Sequence, residues 1–210
     1  GSALTGTGLT SDAQRNTVGG TNAGDSFSGT DAIDNTLLGY NAGTAITTGD
    51  NNVSIGSSAL GANTTGSGNT AVGKGALDAN TTGAYNVAIG RDALGANTEG
   101  GSNIAIGVGA LDAQTDGADN NVAVGHFALS ANTTADNGVA VGYNALNANT
   151  TGGSNIGIGY GALLVNTTGA QNVAVGRNAL DANTTGDNNV AVGHFTLSAA
   201  TTADKNTALG

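Results

Sequence analysis

A glycine recurs along this chain with a period that leaves few folds open. After a short run of small and β-branched residues stand Gly39, Gly56, Gly73, Gly90, Gly107, Gly125, Gly142, Gly159, Gly176, Gly193 and Gly210. Nine of the intervals are 17 residues and one is 18. The unit reads N-V-A-V-G-x-x-A-L-x-A-N-T-T-G-x-x. The one extra residue falls between Thr115 and Gly125, in a polar stretch where an insertion disturbs packing least. A unit this short cannot form a propeller blade or a helical pair. A long helix fails too, because each internal Gly costs about 1 kcal/mol there. What remains is one coil of a parallel β-solenoid. The expected coil has two short strands and two turns, with a rise of about 4.8 Å.

Each column of the repeat suggests a role. Val53, Val87, Val122 and Val173 stand three residues before the anchor Gly, and Ile55, Ile89, Val124 and Val175 one before it. Two β-branched positions spaced by two are strand alternation. Between them runs a small-residue column, with Ala71, Ala88, Ala123 and Ala174 among its members. It is expected to form a flat face against which a second chain packs. Leu60, Leu77, Leu94 and their equivalents supply the large aliphatic of the second segment. Two Asn columns, at Asn86 and Asn80 and their equivalents, fit turns with Asn in the left-handed region, and amide stacking from coil to coil. Residues 1–34 depart from the period and read as an irregular cap containing Phe27 and Ile33. Residues 35–210 form about ten repeats.

Composition narrows the function. The chain has 5 Lys+Arg against 15 Asp+Glu, a net charge of −10, and no Cys. Nucleic-acid binding needs a basic face that this chain lacks. A disulfide framework and a cysteine metal site are excluded, and there is no apolar run long enough for a spanning helix. No Ser/His/Asp spacing, phosphate loop or paired-carboxylate pocket stands out. The expectation is a chain that is not an enzyme, takes no cofactor or metal and makes no membrane contact through this segment.

The strings Asn86-Val-Ala-Ile-Gly90, Asn103-Ile-Ala-Ile-Gly107 and Asn172-Val-Ala-Val-Gly176 resemble the head repeat of trimeric autotransporter adhesins, the YadA-like left-handed β-roll. That family writes roughly S-V-A-I-G-x-x-A-x-A in shorter coils. The longer form with N-T-T-G turns also resembles phage tail-fibre repeats. The resemblance covers residues 35–210. It implies an all-β, left-handed parallel β-roll that assembles as a homotrimer. It also implies an extracellular place, on a bacterial cell surface with an outer-membrane anchor in the full-length protein, or on a virion fibre. The chain then reads as a segment of a longer fibre that attaches to a host protein or glycan.

Chemical variety is concentrated in two adjacent columns. The position after the anchor Gly holds Tyr40, Ser57, Lys74, Arg91, Val108, His126, Tyr143, Tyr160, Arg177 and His194. The next adds Phe127 and Phe195. The first column contains both His, three of the four Tyr and three of the five basic residues. It reads either as an exposed edge that tolerates anything polar or as a contact stripe, since aromatics and Arg are enriched at interfaces. Two rivals are weaker. An unbroken Thr row from Thr47 to Thr201 suggests an ice-binding ladder, but the neighbouring Thr is adjacent rather than alternate, and Glu99 and Asp116 interrupt its row. Asp50, Asp116, Asp119, Asp136, Asp187 and Asp204 lie near the turns without the spacing of a calcium loop, so solvated turn acids are expected.

Overall fold

The computed structural model describes residues 9–27, 31–115 and 117–210. The described chain is a parallel β-solenoid with no helix. Strand β1 (Thr10–Ser11) pairs antiparallel with β2 (Thr17–Gly19), and every later pairing is parallel. Eleven three-residue strands follow, one per coil, from β3 (Thr36–Leu38) to β13 (Thr207–Leu209), each bonded to its sequence neighbours. The longer interval leaves the register intact: Val87 opposes Ile104, which opposes Val122.

The coil has one strand, not the expected two. Its second segment is a turn, because two of its residues are left-handed. The first stands two after the anchor, as in Asp92 and Asn144. The second is the column Leu, with φ between 49° and 53° from Leu60 to Leu197. A left-handed residue with a Cβ costs roughly 1–2 kcal/mol. Full burial of a Leu contributes roughly 1.5–3 kcal/mol. Burial wins, and from Leu60 to Leu180 these side chains are enclosed.

The small-residue column faces inward, which overturns the expectation that it forms an intermolecular face. Ala71, Ala88, Ala105, Ala123, Ala140, Ala174 and Ala191 are 0% exposed. They pack with the Leu column and a second Ala column, Ala76 to Ala179, in one core along the rod. The interior is narrow. At Gly157, the Gly member of the column, an added Cβ would lie 3.1 Å from Leu146 Cγ. Alternation along the strand therefore turns the Val and Ile columns outward.

Anchor glycines close the corner between strand and turn. Gly90 has φ 137°, and an added Cβ would sit 2.6 Å from the carbonyl carbon of Gly107 in the next coil. Both Asn columns are buried and form ladders. In one, the backbone N–H of each Asn donates to the preceding Asn Oδ1, as Asn86 to Asn69 and Asn103 to Asn86, both 2.9 Å. Its Nδ2 donates to a carbonyl 14 residues on, as Asn86 to Gly100. In the other, Asn80 Nδ2 donates to Asn63 Oδ1 (2.8 Å) and to the Gly83 carbonyl (3.0 Å). These ladder residues are not the left-handed ones; in the first ladder that conformation falls one residue earlier, at Asn51, Tyr85 and Asn120. Beside the inserted residue, Gln114 replaces Asn. Its longer arm still reaches Asn97 Oδ1 and the Ala118 carbonyl.

At the N-terminal end, Val18, Ala32, Leu37, Ala42 and Ile46 form a separate small cluster against which Phe27 packs. Arg15 pairs with Asp34 through two side-chain bonds, and the guanidinium holds the Asp34 carboxyl below its ordinary range.

Candidate functional site

The coils stack in register on their anchor glycines, so the residues that follow those glycines fall in a line along the rod. In the C-terminal half that line is a continuous ladder. Phe127 meets the His126 ring edge-on at 4.2 Å. His126 stacks on Tyr143 at 5.5 Å with planes 4° apart, and Tyr143 on Tyr160 at 5.3 Å and 9°. The Arg177 guanidinium lies 5.7 Å from the Tyr160 ring and 5.9 Å from the Phe195 ring. Phe195 touches His194 at 4.4 Å. Phe127 and Phe195 both adopt left-handed backbone, which places their rings beside the preceding residue. All seven side chains are exposed, with Tyr143 at 46% and Tyr160 at 54%.

The N-terminal half of the stripe is not part of this ladder. Tyr40 and Lys74 are exposed and isolated from it, and the half-buried Ser57 and Val108 separate the polar positions. Arg91 lies 3.8 Å from Asp92. Acids gather there. Asp78 and Asp112 are pushed above the ordinary carboxylate range, first by burial and then by the charge of Asp92. Beside the aromatic half, the equivalent positions hold Ser130, Asn147 and Leu164, and an acid returns only at Asp181, whose carboxyl burial also raises. Among the described residues the ion pairs are Arg15–Asp34 and Arg91–Asp92, and Arg177 is in neither.

The rival columns have structural partners. Thr64, Thr81, Thr133, Thr150 and Thr167 each donate Oγ1 to the carbonyl of the next Thr in the row, at 3.0–3.1 Å. Those hydroxyls are engaged within the fold. The turn acids are also engaged, in a way that sequence reasoning missed. Asp119 Oδ1 accepts the Gly101 N–H, Asp136 Oδ1 accepts that of Asp119, and Asp187 Oδ1 accepts that of Ala170. Asp50 and Asp204 do the same for Ile33 and Asp187. The signal was their shared column, six before the anchor. Asp116 lies outside the described residues. No group of three or more His, Asp or Glu among the described residues is arranged to hold a metal ion.

No protein-family model, no curated protein and no solved structure matches this chain.

Proposed function

We propose that this chain is a rigid adhesive module of an extracellular fibre, assembling as a homotrimer and holding the aromatic–cationic ladder away from the surface that carries it. The observation that carries the reading is the concentration of aromatic and cationic side chains along one line of a repetitive rod. A catalyst needs convergent groups in a cleft, whereas a ladder of exposed rings and a guanidinium is chemistry for contact. The carrier is a bacterial cell surface, with the outer-membrane anchor in the full-length protein, or a virion fibre; the same geometry serves both.

The outward Val and Ile columns support self-assembly. Ile55, Ile89, Ile104, Ile106, Ile158 and Val192 are 37–39% exposed on one sheet face, and no strand residue carries a charge. Eleven strands at about 4.8 Å, each about 10 Å long, give a flat apolar face of roughly 500 Å². That is at the upper end of what a lone monomer leaves in water. Charge depletion over an apolar centre is the composition of an interface.

The test reads mass and adhesion on the same sample. Light scattering should give about three times the 20.0 kDa chain. Lys placed together at Ile89, Ile106 and Ile158 should release monomers, because burying three unpaired charges opposes association. Ser at Arg91, His126, Tyr143, Tyr160 and Arg177 should keep the mass and lower attachment to host cells or matrix. A monomeric wild type would refute the assembly. Unchanged attachment by the Ser variant would make the segment a spacer.

A further inference from the structure

The ladder's geometry restricts what it can hold. In the stretch from His126 to Tyr160 the rings stack on one another with nearly parallel planes. Their faces are therefore occupied by neighbouring rungs, and what they offer outward is their edges. Tyr143 and Tyr160 carry hydroxyls, and His126 and His194 carry imidazole nitrogens. Arg177 is held between two rings and has no carboxylate partner among the described residues. A planar guanidinium stacked in this way keeps its N–H edge free for two-point capture of a carboxylate. The surface is thus a row of hydrogen-bonding groups around one available cation.

Its shape selects the partner further. The row is one side chain wide, its stacked ring centroids lie 5.3–5.5 Å apart, and it repeats along the rod with the coil rise of about 4.8 Å. A folded protein partner engages a broad patch, which a row one side chain wide does not supply. An extended polymer lying along the axis needs only matched spacing. That coil rise of about 4.8 Å is of the order of the length of one pyranose in an extended chain, and sugar hydroxyls match Tyr and His edges. Acids gather around Arg91, are absent from the equivalent positions beside His126, Tyr143 and Tyr160, and return beside Arg177 with the single Asp181, which is not within ion-pair distance of it.

We infer that the ladder from His126 to His194 binds a linear glycan bearing carboxylates, with Arg177 taking the carboxylate and Tyr143 and Tyr160 taking hydroxyls of successive sugars. This names the partner class of the adhesive reading above and rests on it. Polygalacturonate serves as the probe, immobilised on a sensor surface, with its methyl-esterified form as the neutral control. The wild-type chain should bind polygalacturonate at least tenfold more tightly than the ester. Arg177→Ser, and separately Tyr143→Ser with Tyr160→Ser, should each weaken binding at least tenfold, while Lys74→Ser leaves it unchanged. Circular dichroism and mass are read on every variant, so loss of fold or of assembly is seen apart from loss of binding. Absence of wild-type binding, equal binding to the ester, or an Arg177→Ser variant that binds like wild type would overturn the inference. Equal binding to polyglutamate would overturn the glycan assignment in favour of an acidic peptide. An oligomer that falls apart while polygalacturonate is still held would count against the homotrimer and not against the ladder.

Discussion

One rung of the buried Asn ladder is missing, and restoring it tests whether the ladder stabilises the rod. Gly138 occupies the Asn position of its coil. Its N–H still donates to Asn121 Oδ1 at 2.8 Å, but it has no amide to accept from the next coil. In intact rungs that acceptor receives the backbone N–H one coil on, as Asn155 Oδ1 receives that of Asn172 at 2.9 Å. The Asn155 N–H faces Gly138 and has no side-chain acceptor there. In Gly138→Asn, supplying one should recover about 1–3 kcal/mol, the cost of a buried donor left unmade. Replacing Gly adds about 0.4–1 kcal/mol through the unfolded chain. Ordering the new side chain returns about 1 kcal/mol. The site accepts a Cβ with slight adjustment: it would lie 3.1 Å from Asn121 Oδ1 and 3.3 Å from Leu129 Cδ1, and the backbone is not left-handed. The net gain is about 0.4–3 kcal/mol, or a rise of about 1–12 °C in Tm for a chain of this size. Thermal melts followed by circular dichroism measure it, with Gly138→Ala as control for the Cβ and the backbone entropy. A Gly138→Asn variant no more stable than Gly138→Ala would refute the ladder's energetic role.

Other perturbations probe other columns. Gly107→Ala should prevent native coil stacking, since its Cβ would fall 2.6 Å from the Gly125 carbonyl carbon; loss of the β signal at 25 °C checks it. Leu94→Ala should cost about 2–5 kcal/mol in urea unfolding, because the Leu is fully enclosed and Ala keeps the left-handed strain without the burial. Asp78→Asn with Asp112→Asn should raise Tm at pH 7. Both carboxyls titrate above their unfolded values in the fold, so folding binds protons there and stability falls as pH rises through that range. The advantage of the Asn pair should vanish below about pH 4, the unfolded Asp value, and persistence there would contradict the account. If the Thr row is structural, the chain should show no thermal hysteresis, and hysteresis lost on bulky replacement of Thr133, Thr150, Thr167 and Thr184 would reverse that reading.

The period and the strand position were legible because one Gly per coil must tolerate a conformation and a close approach that no other residue does. The sense of the strand was not. Alternation marks two faces but gives no sign when both are apolar, and a column of small Ala fits a flat outer face as well as a narrow interior. The departures carried the answer: Thr36, Thr70 and Thr207 stand for aliphatic Val or Ile in the outer column, where a hydroxyl meets water. The left-handed Leu column was hidden because Leu disfavours that conformation. Its hint was Gly43, which holds the same position in an early coil at φ 53°. The stripe was visible as a column, and its division into an aromatic ladder and an acid-flanked half was not. That division depends on ring orientation and on carboxylates brought close by the turns.

The second Asn ladder has a consequence for where such a chain can be made. Asn63, Asn80, Asn132, Asn149, Asn166 and Asn183 are each followed by Thr-Thr, which makes every one an acceptor sequence for N-linked glycosylation. Each is sealed in the interior. Asn80 uses its Nδ2 for two hydrogen bonds, to Asn63 Oδ1 and to the Gly83 carbonyl, and Asn183 does likewise with Asn166 and Gly186. An oligosaccharide on that nitrogen would remove a donor and place a bulky polar group where the coils close on one another. Glycan transfer and coil closure thus compete for the same atom. In a secretory pathway that modifies nascent chains, a sugar added to any of these sites would stop the solenoid from stacking past that coil.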